Sequence, residues 1–291
     1  MSANKSPMLR NQLLAALHAA ESDRLSPHLE LLTMGQGDVL YESGGKLRYL
    51  FFPTTAIFSI QHELKDGGVS EIASVGNEGV LGLSLFMGGH TTQNRAIVHS
   101  AGYAYRLRAS LLLAEFHRKG PLFDLLLRYT ESLMIQMSQT AVCNSHHSTV
   151  QRLCRWLLQT LDRSHTSELR VTQEALGSIL GVRREGITEA AGRLQTSGLI
   201  SCRRGHIRVL DRMGLEKQVC ECYEVVKRET KRLMAKNTTF DDAFDPMWPK
   251  RNGKQSRRMG SADRRIREVE HEDSVVADET QSVDPLAAVT V

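Results

Sequence analysis

The chain has 291 residues, a formal net charge of +4 at pH 7, 24% charged residues and 5% aromatic residues. This length allows two domains with separate cores, and no apolar run reaches the length of about 18 residues that a membrane-spanning helix needs. The N-terminus lacks a secretory signal, and the cysteines follow no disulfide framework: Cys143, Cys154, Cys202, Cys220 and Cys222. We therefore expect a cytoplasmic protein with reduced thiols.

The N-terminal part predicts a β-rich domain behind a short helix. An amphipathic helix is expected over residues 9–20, where leucines recur at helical spacing: Leu9, Leu13, Leu14 and Leu17. From about residue 29 to residue 107, short apolar runs alternate with turns such as Asp66-Gly67-Gly68. Many short strands at such spacing predict an antiparallel barrel or sandwich.

A long helix is predicted from Pro121, since apolar residues then recur at steps of three and four. A helix between two domains needs a partner for its apolar stripe, and a second copy of the chain supplies one. Packing back on the barrel is the alternative that the pattern leaves open. We expect a homodimer contact over residues 121–145, made by Leu122, Leu126, Leu133, Met134 and Met137.

The segment Val171–Leu210 predicts a DNA-binding unit, and a helix that starts after Ser148 precedes it. Ser148 is suited to cap one helix and Thr172 to cap another, while Gly181 permits a tight turn into a further helix over Arg183–Ser197. Two helices joined by a short glycine turn form a helix-turn-helix, in which the second helix meets base edges. This unit is the most informative part of the chain.

Two alternating segments follow the second helix, Leu199–Cys202 and His206–Leu210, with a basic turn, Arg203-Arg204-Gly205, between them. They predict a two-stranded basic wing. One more amphipathic helix is expected over Arg212–Leu233. Residues 236–291 contain few apolar side chains and are expected to be a disordered tail, whose basic half (250–267) either contacts phosphates or is simply solvated.

The order of these parts, together with the motifs GVRREGITEAAGRLQTSGLI and RRGHIRVLDR, resembles the Crp/Fnr superfamily of bacterial transcription regulators. The resemblance covers about residues 10–235. It implies an α+β fold with an N-terminal antiparallel β-roll of the cyclic-nucleotide-binding type (1–120), a long dimerisation helix (121–145) and a C-terminal winged helix-turn-helix (146–235). It also implies a homodimer on a double-stranded DNA operator, with RNA polymerase as a further partner and no membrane.

The resemblance assigns base reading to the start of the second helix. Arg184 would contact guanine with two hydrogen bonds, and Glu185 would accept from a cytosine amino group. Thr188 and Glu189 stand where many members carry a second base-reading arginine, which leaves the operator sequence open. Phosphate contacts, which carry affinity rather than sequence information, are expected of Thr172, Arg183, Arg203, Arg204 and His206.

The chain departs from the family pattern at the ligand site. Members that bind cyclic nucleotides hold the ribose with a Gly-Glu pair and the phosphate with an Arg-Ser or Arg-Thr pair. Leu81-Gly82-Leu83 and Asn94-Arg95-Ala96 occupy these places here. We expect no cofactor and no standard cyclic AMP binding, with Gly82, Leu83 and Arg95 as the remnant of an effector pocket and Arg95 as its anion contact.

Metal and redox chemistry are not expected from the sequence. The iron–sulfur branch of the family uses N-terminal cysteines, whereas the first cysteine here is Cys143. His146-His147 are interpreted as hydrogen-bonded or solvent-facing, and nothing marks Cys143 and Cys154 as a reactive thiol pair. Cys220 and Cys222 lie two apart on a predicted helix, so they would point to different faces.

A DNA-binding regulator is expected, and the alternative is a winged-helix scaffold that no longer binds DNA specifically. The basic residues of the second helix and the wing argue against the scaffold. Enzymatic activity is not expected, because the chain shows no paired carboxylates, no nucleophile with a base and no phosphate-cradling loop; Gly35-Gln36-Gly37 lacks the rest of a dinucleotide site.

Overall fold

The computed structural model describes residues 5–164 and 166–235. Its helices are α1 (Lys5–Met8), α2 (Gln12–Ala16), α3 (Ala19–Leu25), α4 (Ala109–Phe116), α5 (Pro121–His146), α6 (Thr149–Arg163), α7 (Gln173–Leu180), α8 (Arg184–Thr196), α9 (Arg212–Gln218) and α10 (Cys222–Met234). Its strands are β1 (Glu30–Met34), β2 (Val39–Tyr41), β3 (Tyr49–Pro53), β4 (Ile57–Glu63), β5 (Val69–Val75), β6 (Arg95–Ser100), β7 (Gly102–Arg108), β8 (Glu168–Arg170), β9 (Ile200–Arg203) and β10 (His206–Val209). The expected tail, with its basic half, lies outside the described residues.

The first seven strands form the predicted antiparallel β-roll. One sheet has the order β1-β7-β3 and the other the order β2-β6-β4-β5. Their inner faces enclose a core in which Phe58, Leu81 and Val98 are at most 1% exposed. Apolar residues on alternate positions of short strands produce this layer, because successive side chains of a strand point to opposite faces.

The prediction of a single N-terminal helix over residues 9–20 is wrong, because the chain forms two short helices, α2 and α3, with a break between them. Leu9 is 53% exposed, and Asn11 instead caps α2 by accepting from the Leu14 N–H. The Asn11 amide also donates to the carbonyls of Pro53 and Gly79, which ties this helix to the β-roll. Helix α3 then begins separately, where the Glu21 carboxylate accepts from the His18 N–H.

The long helix α5 begins at Pro121, as predicted. Part of its apolar stripe is buried in the protomer and part is exposed to solvent. Leu122 and Leu126 are buried in the core below the β-roll, and Leu133 is buried against the roll itself. These three residues therefore face their own protomer, which corrects their assignment to a dimer contact. Met134 and Met137 are 60% and 36% exposed and remain available to a partner.

The C-terminal part is a winged helix-turn-helix. Ser148 and Gln151 form a capping box at the start of α6, Thr172 caps α7, and Gly181 ends α7 with a left-handed φ of 60°. Helices α6 to α9 pack on a three-stranded sheet of order β8-β10-β9, in which β8 was not predicted. The prediction of one helix over Arg212–Leu233 is wrong, because the chain forms two helices there, α9 and α10.

The β-roll and the winged helix meet along a domain seam, formed by α6 and α7 on one side and by β4, β5 and β6 on the other. Helix α7 packs against β5, and the Trp156 ring of α6 stands edge-on to His99 of β6. Arg163 Nε lies 2.8 Å from Glu78 Oε1, and its Nη1 donates to Ser74 Oγ at 2.6 Å. Among the described residues, no helix combines the length and hydropathy that a membrane crossing needs.

Candidate nucleic-acid interface

Helix α8 has one buried face and one exposed face. Its apolar side, which packs into the domain core, consists of Ile187, Ala190, Ala191 and Leu194. Its opposite side is solvent-exposed and is called the recognition face here: Arg184, Glu185, Thr188 and Glu189. The amphipathic spacing of α8 directs these four side chains outward from the first two turns, where a recognition helix meets DNA.

The start of α8 exposes two arginines whose charge the fold does not neutralise. Arg183 and Arg184 are exposed and, over residues 5–164 and 166–235, neither guanidinium has a carboxylate partner. Glu189 does have a partner, since its Oε1 lies 2.6 Å from Arg193 Nη2. Both side chains of that pair are about two-thirds exposed, so water screens it and its contribution to stability is small.

Thr188 is held by its neighbours. Its hydroxyl lies 2.8 Å from Gln173 Oε1 and 3.1 Å from the Arg184 carbonyl oxygen. The first contact joins α8 to the start of α7, so the two helices keep a defined spacing at the exposed surface. Thr188 therefore positions the recognition face as well as being part of it.

The wing tip exposes two arginines. Arg203 and Arg204 flank the turn between β9 and β10, and Gly205 takes a left-handed φ of 71° that closes it. Neither guanidinium has an ion-pair partner within the described part of the chain. Their charge is therefore available to an anion such as a phosphate.

His206 is placed differently from the wing arginines. Its Nδ1 lies 3.2 Å from Glu168 Oε1, and Arg208 reaches the other oxygen of the same carboxylate at 3.5 Å. Glu168 belongs to β8, the strand that the sequence did not predict, so this neutralisation was missed. The predicted phosphate contact of His206 thus competes with a carboxylate that already faces its ring.

Thr172 lies at a cleft between the two domains. Its hydroxyl accepts from the Ala175 N–H at 3.1 Å. The cleft, of about 590 Å³, is lined by Thr172 and His206 on the winged helix and by Gly37 and His99 on the β-roll. The Gln36 amide spans it and donates to the Arg170 carbonyl at 2.8 Å. The phosphate contact predicted for Thr172 remains a prediction.

The three predicted effector-pocket residues lie in different surroundings. Gly82 adopts a left-handed φ of 110° before a short turn, and Leu83 packs against the two apolar cores of the N-terminal domain. Arg95 begins β6, where its Nε lies 3.0 Å from Glu42 Oε2. A phosphate bound at Arg95 would therefore have to compete with the Glu42 carboxylate.

Two titratable side chains lie in the domain seam, where Glu71 is buried and His99 is partly buried. Burial raises the pKa of Glu71 to about 7, although the Ser59 hydroxyl donates to it and Arg163 and Arg155 attract its charge. Burial lowers the pKa of His99 to about 4. At neutral pH His99 is therefore uncharged against Trp156, while Glu71 is close to its titration point.

One expectation about the cysteines is wrong. Cys220 and Cys222 do not share a helix, because α10 begins at Cys222 and Cys220 lies in the preceding loop. Both sulfurs consequently meet Cys143 and His147, and the four ligand atoms lie within 4.8 Å of one another. Cys154 lies apart in the winged-helix core, where burial raises its pKa to about 12. The sequence prediction missed this cluster, and the spacing Cys143-x3-His147 with the Cys-x-Cys at 220–222 is the only local pattern that could have indicated it.

Comparison with known proteins agrees with this architecture. Residues 151–218 match the Crp-like helix-turn-helix domain family. Among solved structures, FixK2 from Bradyrhizobium japonicum is 16% identical, with a TM-score of 0.58 over 66% of this chain and 98% of that one. A putative Crp/Fnr-family transcriptional regulator from Eubacterium rectale is 18% identical, with a TM-score of 0.56 over 71% of this chain and 96% of its own.

A third similar structure is a CRP-family transcriptional regulator from Thermus thermophilus. It is 18% identical, with a TM-score of 0.54 over 64% of this chain and 95% of that one. At these identities the structures establish the fold alone. No curated protein sequence matches the chain significantly.

Proposed function

Because the chain carries a Crp-like helix-turn-helix domain and has the fold of the Crp/Fnr superfamily of transcription regulators, we propose that it binds DNA sequence-specifically as a homodimer in the cytoplasm. The observation that carries the proposal is the recognition face of α8. Arg184 and Glu185 are exposed in its first turn, while the opposite side of the helix is buried in the domain core.

Base reading is proposed for the recognition face. The guanidinium of Arg184 has the geometry for two hydrogen bonds to guanine, and Glu185 can accept from a cytosine amino group. Arg183, Arg203 and Arg204 lie on either side and would contact phosphates, which set the register of the helix without reading sequence. Charges without a carboxylate partner suit this role, because no ion pair has to be broken on binding.

Dimerisation is proposed through the exposed stripe of α5, defined by Leu127, Met134, Met137 and Val142. These side chains are 46%, 60%, 36% and 44% exposed. Leu127 and Met134 are one heptad apart, and Ala141 continues the repeat with an exposed side chain. An apolar stripe at this spacing is typical of a two-helix contact, and a two-fold partner would present a second recognition face to the next major groove.

Binding of DNA fragments at two salt concentrations tests base reading. We expect the full chain to prefer some fragments, with Arg184→Ala and Glu185→Ala each weakening the preferred site by roughly 10- to 100-fold. Lys217→Ala, which removes an exposed cation from α9, is the control and should bind like the wild type. Binding without sequence preference, or a flat salt dependence, would instead support the winged-helix scaffold.

Sedimentation tests the dimer separately. The double variant Met134→Glu with Met137→Glu places charge in the exposed stripe and should yield a folded monomer. Met213→Glu is the control, since Met213 is 71% exposed but lies on α9. A double variant that still sediments as a dimer would exclude this face as the contact.

The β-roll is not proposed as a standard cyclic AMP sensor. This rests on the Arg95–Glu42 ion pair and on the replacement of the ribose carboxylate by leucine. Titration of the full chain with cyclic AMP should give no saturable heat. Saturable binding that Arg95→Ala abolishes would contradict this part of the proposal.

A further inference from the structure

We propose that Cys143, His147, Cys220 and Cys222 bind one tetrahedral metal ion of the zinc class where the end of α5 meets the start of α10. The proposal concerns the fold of this chain and does not depend on DNA binding. It rests on the spacing of the four ligand atoms, on their burial and on the groups that surround them.

The distances between ligand atoms suit a single ion. Cys143 Sγ lies 3.6 Å from Cys220 Sγ, and Cys222 Sγ lies 3.6 Å from His147 Nδ1. Zinc–sulfur bonds of about 2.3 Å and zinc–nitrogen bonds of about 2.0 Å at tetrahedral angles place sulfurs about 3.8 Å apart and sulfur and nitrogen about 3.5 Å apart. Three cysteines and one histidine are a common ligand set of structural zinc sites.

The four ligand side chains are buried or nearly so, which closes the site to solvent. Cys143, Cys220 and Cys222 are 0%, 3% and 1% exposed, and the His147 side chain is 12% exposed. Together with Val219, the three cysteines form a small cluster separate from the larger apolar cores. Four protein ligands that leave no open position are characteristic of structural rather than catalytic sites.

The chain positions the ligands in two pairs. Cys143 and His147 are four residues apart at the end of α5, which brings both side chains to the same side of the helix. Cys220 and Cys222 lie on either side of Glu221, where the loop after α9 turns into α10. The break between α9 and α10 brings the sulfurs of Cys220 and Cys222 together, since an unbroken helix would direct these two side chains to different faces.

The surrounding residues support metal coordination through Nδ1 of His147. The other ring nitrogen, Nε2, lies 3.4 Å from Glu221 Oε2, and a carboxylate at that position orients a ligating imidazole. Arg155 is buried beside the cluster, so its positive charge lies close to the sulfurs of Cys143 and Cys222. Three thiolates around a divalent ion leave one net negative charge, which this guanidinium offsets.

A disulfide between Cys143 and Cys220 is the competing use of the cluster. It would bring the two sulfurs from 3.6 Å to about 2.0 Å and would need an oxidant to accept two electrons. It would give no role to His147, Cys222 or Glu221, whose atoms converge on the same point. Coordination uses all four ligands and releases only the thiol protons.

The first experiment measures metal in the full chain. Protein purified without chelators should contain one zinc per chain by elemental analysis. After removal of the metal under reducing conditions, cobalt(II) should restore occupancy and give the visible absorption of tetrahedral cobalt with a thiolate charge-transfer band. A wild-type chain that holds no metal and does not bind cobalt would overturn the proposal, as would a Cys143–Cys220 disulfide found in its place.

Matched variants locate the ligands. His147→Ala should lose the metal, whereas His146→Ala, which changes the exposed neighbour, should keep it. Cys222→Ser should lose it, and Cys202→Ser on β9 should not. Glu221→Gln changes an exposed side chain that is not a ligand, so it should fold and bind cobalt about 10- to 100-fold more weakly. Equal effects within each pair would overturn the assignment of the ligands.

Discussion

The arginines of the proposed DNA interface, on α8 and the wing, and Arg163 of the domain seam have the same side chain in opposite surroundings. Arg184 and Arg204 are exposed and face no carboxylate among the residues that the structure describes. Arg163 has a side chain only 10% exposed and is bound to Glu78 and Ser74. An arginine with a shielded carboxylate stabilises the fold, whereas one without a partner is available to a ligand.

The largest expected effect is the loss of stability when Arg163 of the domain seam is removed. Arg163→Ala leaves Glu78 shielded and unpaired, and loss of one partner of a buried pair costs about 3 kcal/mol or more. Urea unfolding should show this loss in the free energy of unfolding. Arg204→Ala is the matched control and should change it by less than about 0.5 kcal/mol. Similar losses in both variants would contradict the distinction.

The next effect depends on pH and concerns Glu71. Its folded pKa of about 7 lies above the ordinary value, so the folded state keeps its proton while the unfolded state loses it between about pH 4.5 and 7. Its contribution to stability therefore falls as pH rises through that window. Glu71→Gln should be more stable than the wild type by up to about 3 kcal/mol at pH 8 and no different at pH 4.

Thermal unfolding across that pH range measures the Glu71 effect as a difference between the two proteins. His99 titrates in the same experiment, but its lowered pKa acts in the opposite direction and is common to both. A variant that is destabilised equally at pH 4 and pH 8 would show that Glu71 acts through hydrogen bonding rather than through its charge.

A smaller effect separates the cations of the wing. Arg203→Ala and Arg204→Ala should each lower the slope of log affinity against log salt by about 1, at any DNA sequence. His206→Ala should leave the slope unchanged, because Glu168 already faces its ring. A large change for His206→Ala would mean that DNA displaces Glu168, and the distinction between paired and unpaired cations would not hold on the wing.

The smallest expected effect on the fold is at Glu189. Its pair with Arg193 is exposed, so Glu189→Ala should change the free energy of unfolding by no more than about 0.5 kcal/mol. The same variant should change the preferred base at one position of each half-site. A loss of stability well above that amount, with unaltered base preference, would assign Glu189 a structural role only.

Local patterns were predictable from the sequence because they depend on residues close in the chain. Ser148, Thr172 and Gly181 mark helix ends through hydrogen bonds or a backbone angle within a few residues. Long-range pairings were not predictable in this way. Glu78 and Arg163 are 85 residues apart, and nothing near either residue indicates the other.

The errors on α5 and α10 have the same cause. The apolar spacing of α5 showed that the helix has a stripe, but not that the β-roll and α10 cover part of it. Leu133 and Met134 are neighbours in the sequence, yet one is 8% and the other 60% exposed. The break before α10 contains neither glycine nor proline, so the convergence of Cys220 and Cys222 on Cys143 became visible only in the fold.

Selection of binding sites from a random DNA pool tests the central claim most directly. If α8 reads DNA in a homodimer, the full chain should enrich a two-fold symmetric sequence whose half-sites are one helical turn apart, about 10 base pairs, or a multiple of it. Arg184→Ala should abolish enrichment at one position of each half-site, while Lys217→Ala should not. A pool with no enriched sequence, or the same sequence selected by Arg184→Ala, would contradict the assignment of α8 as the DNA-reading helix.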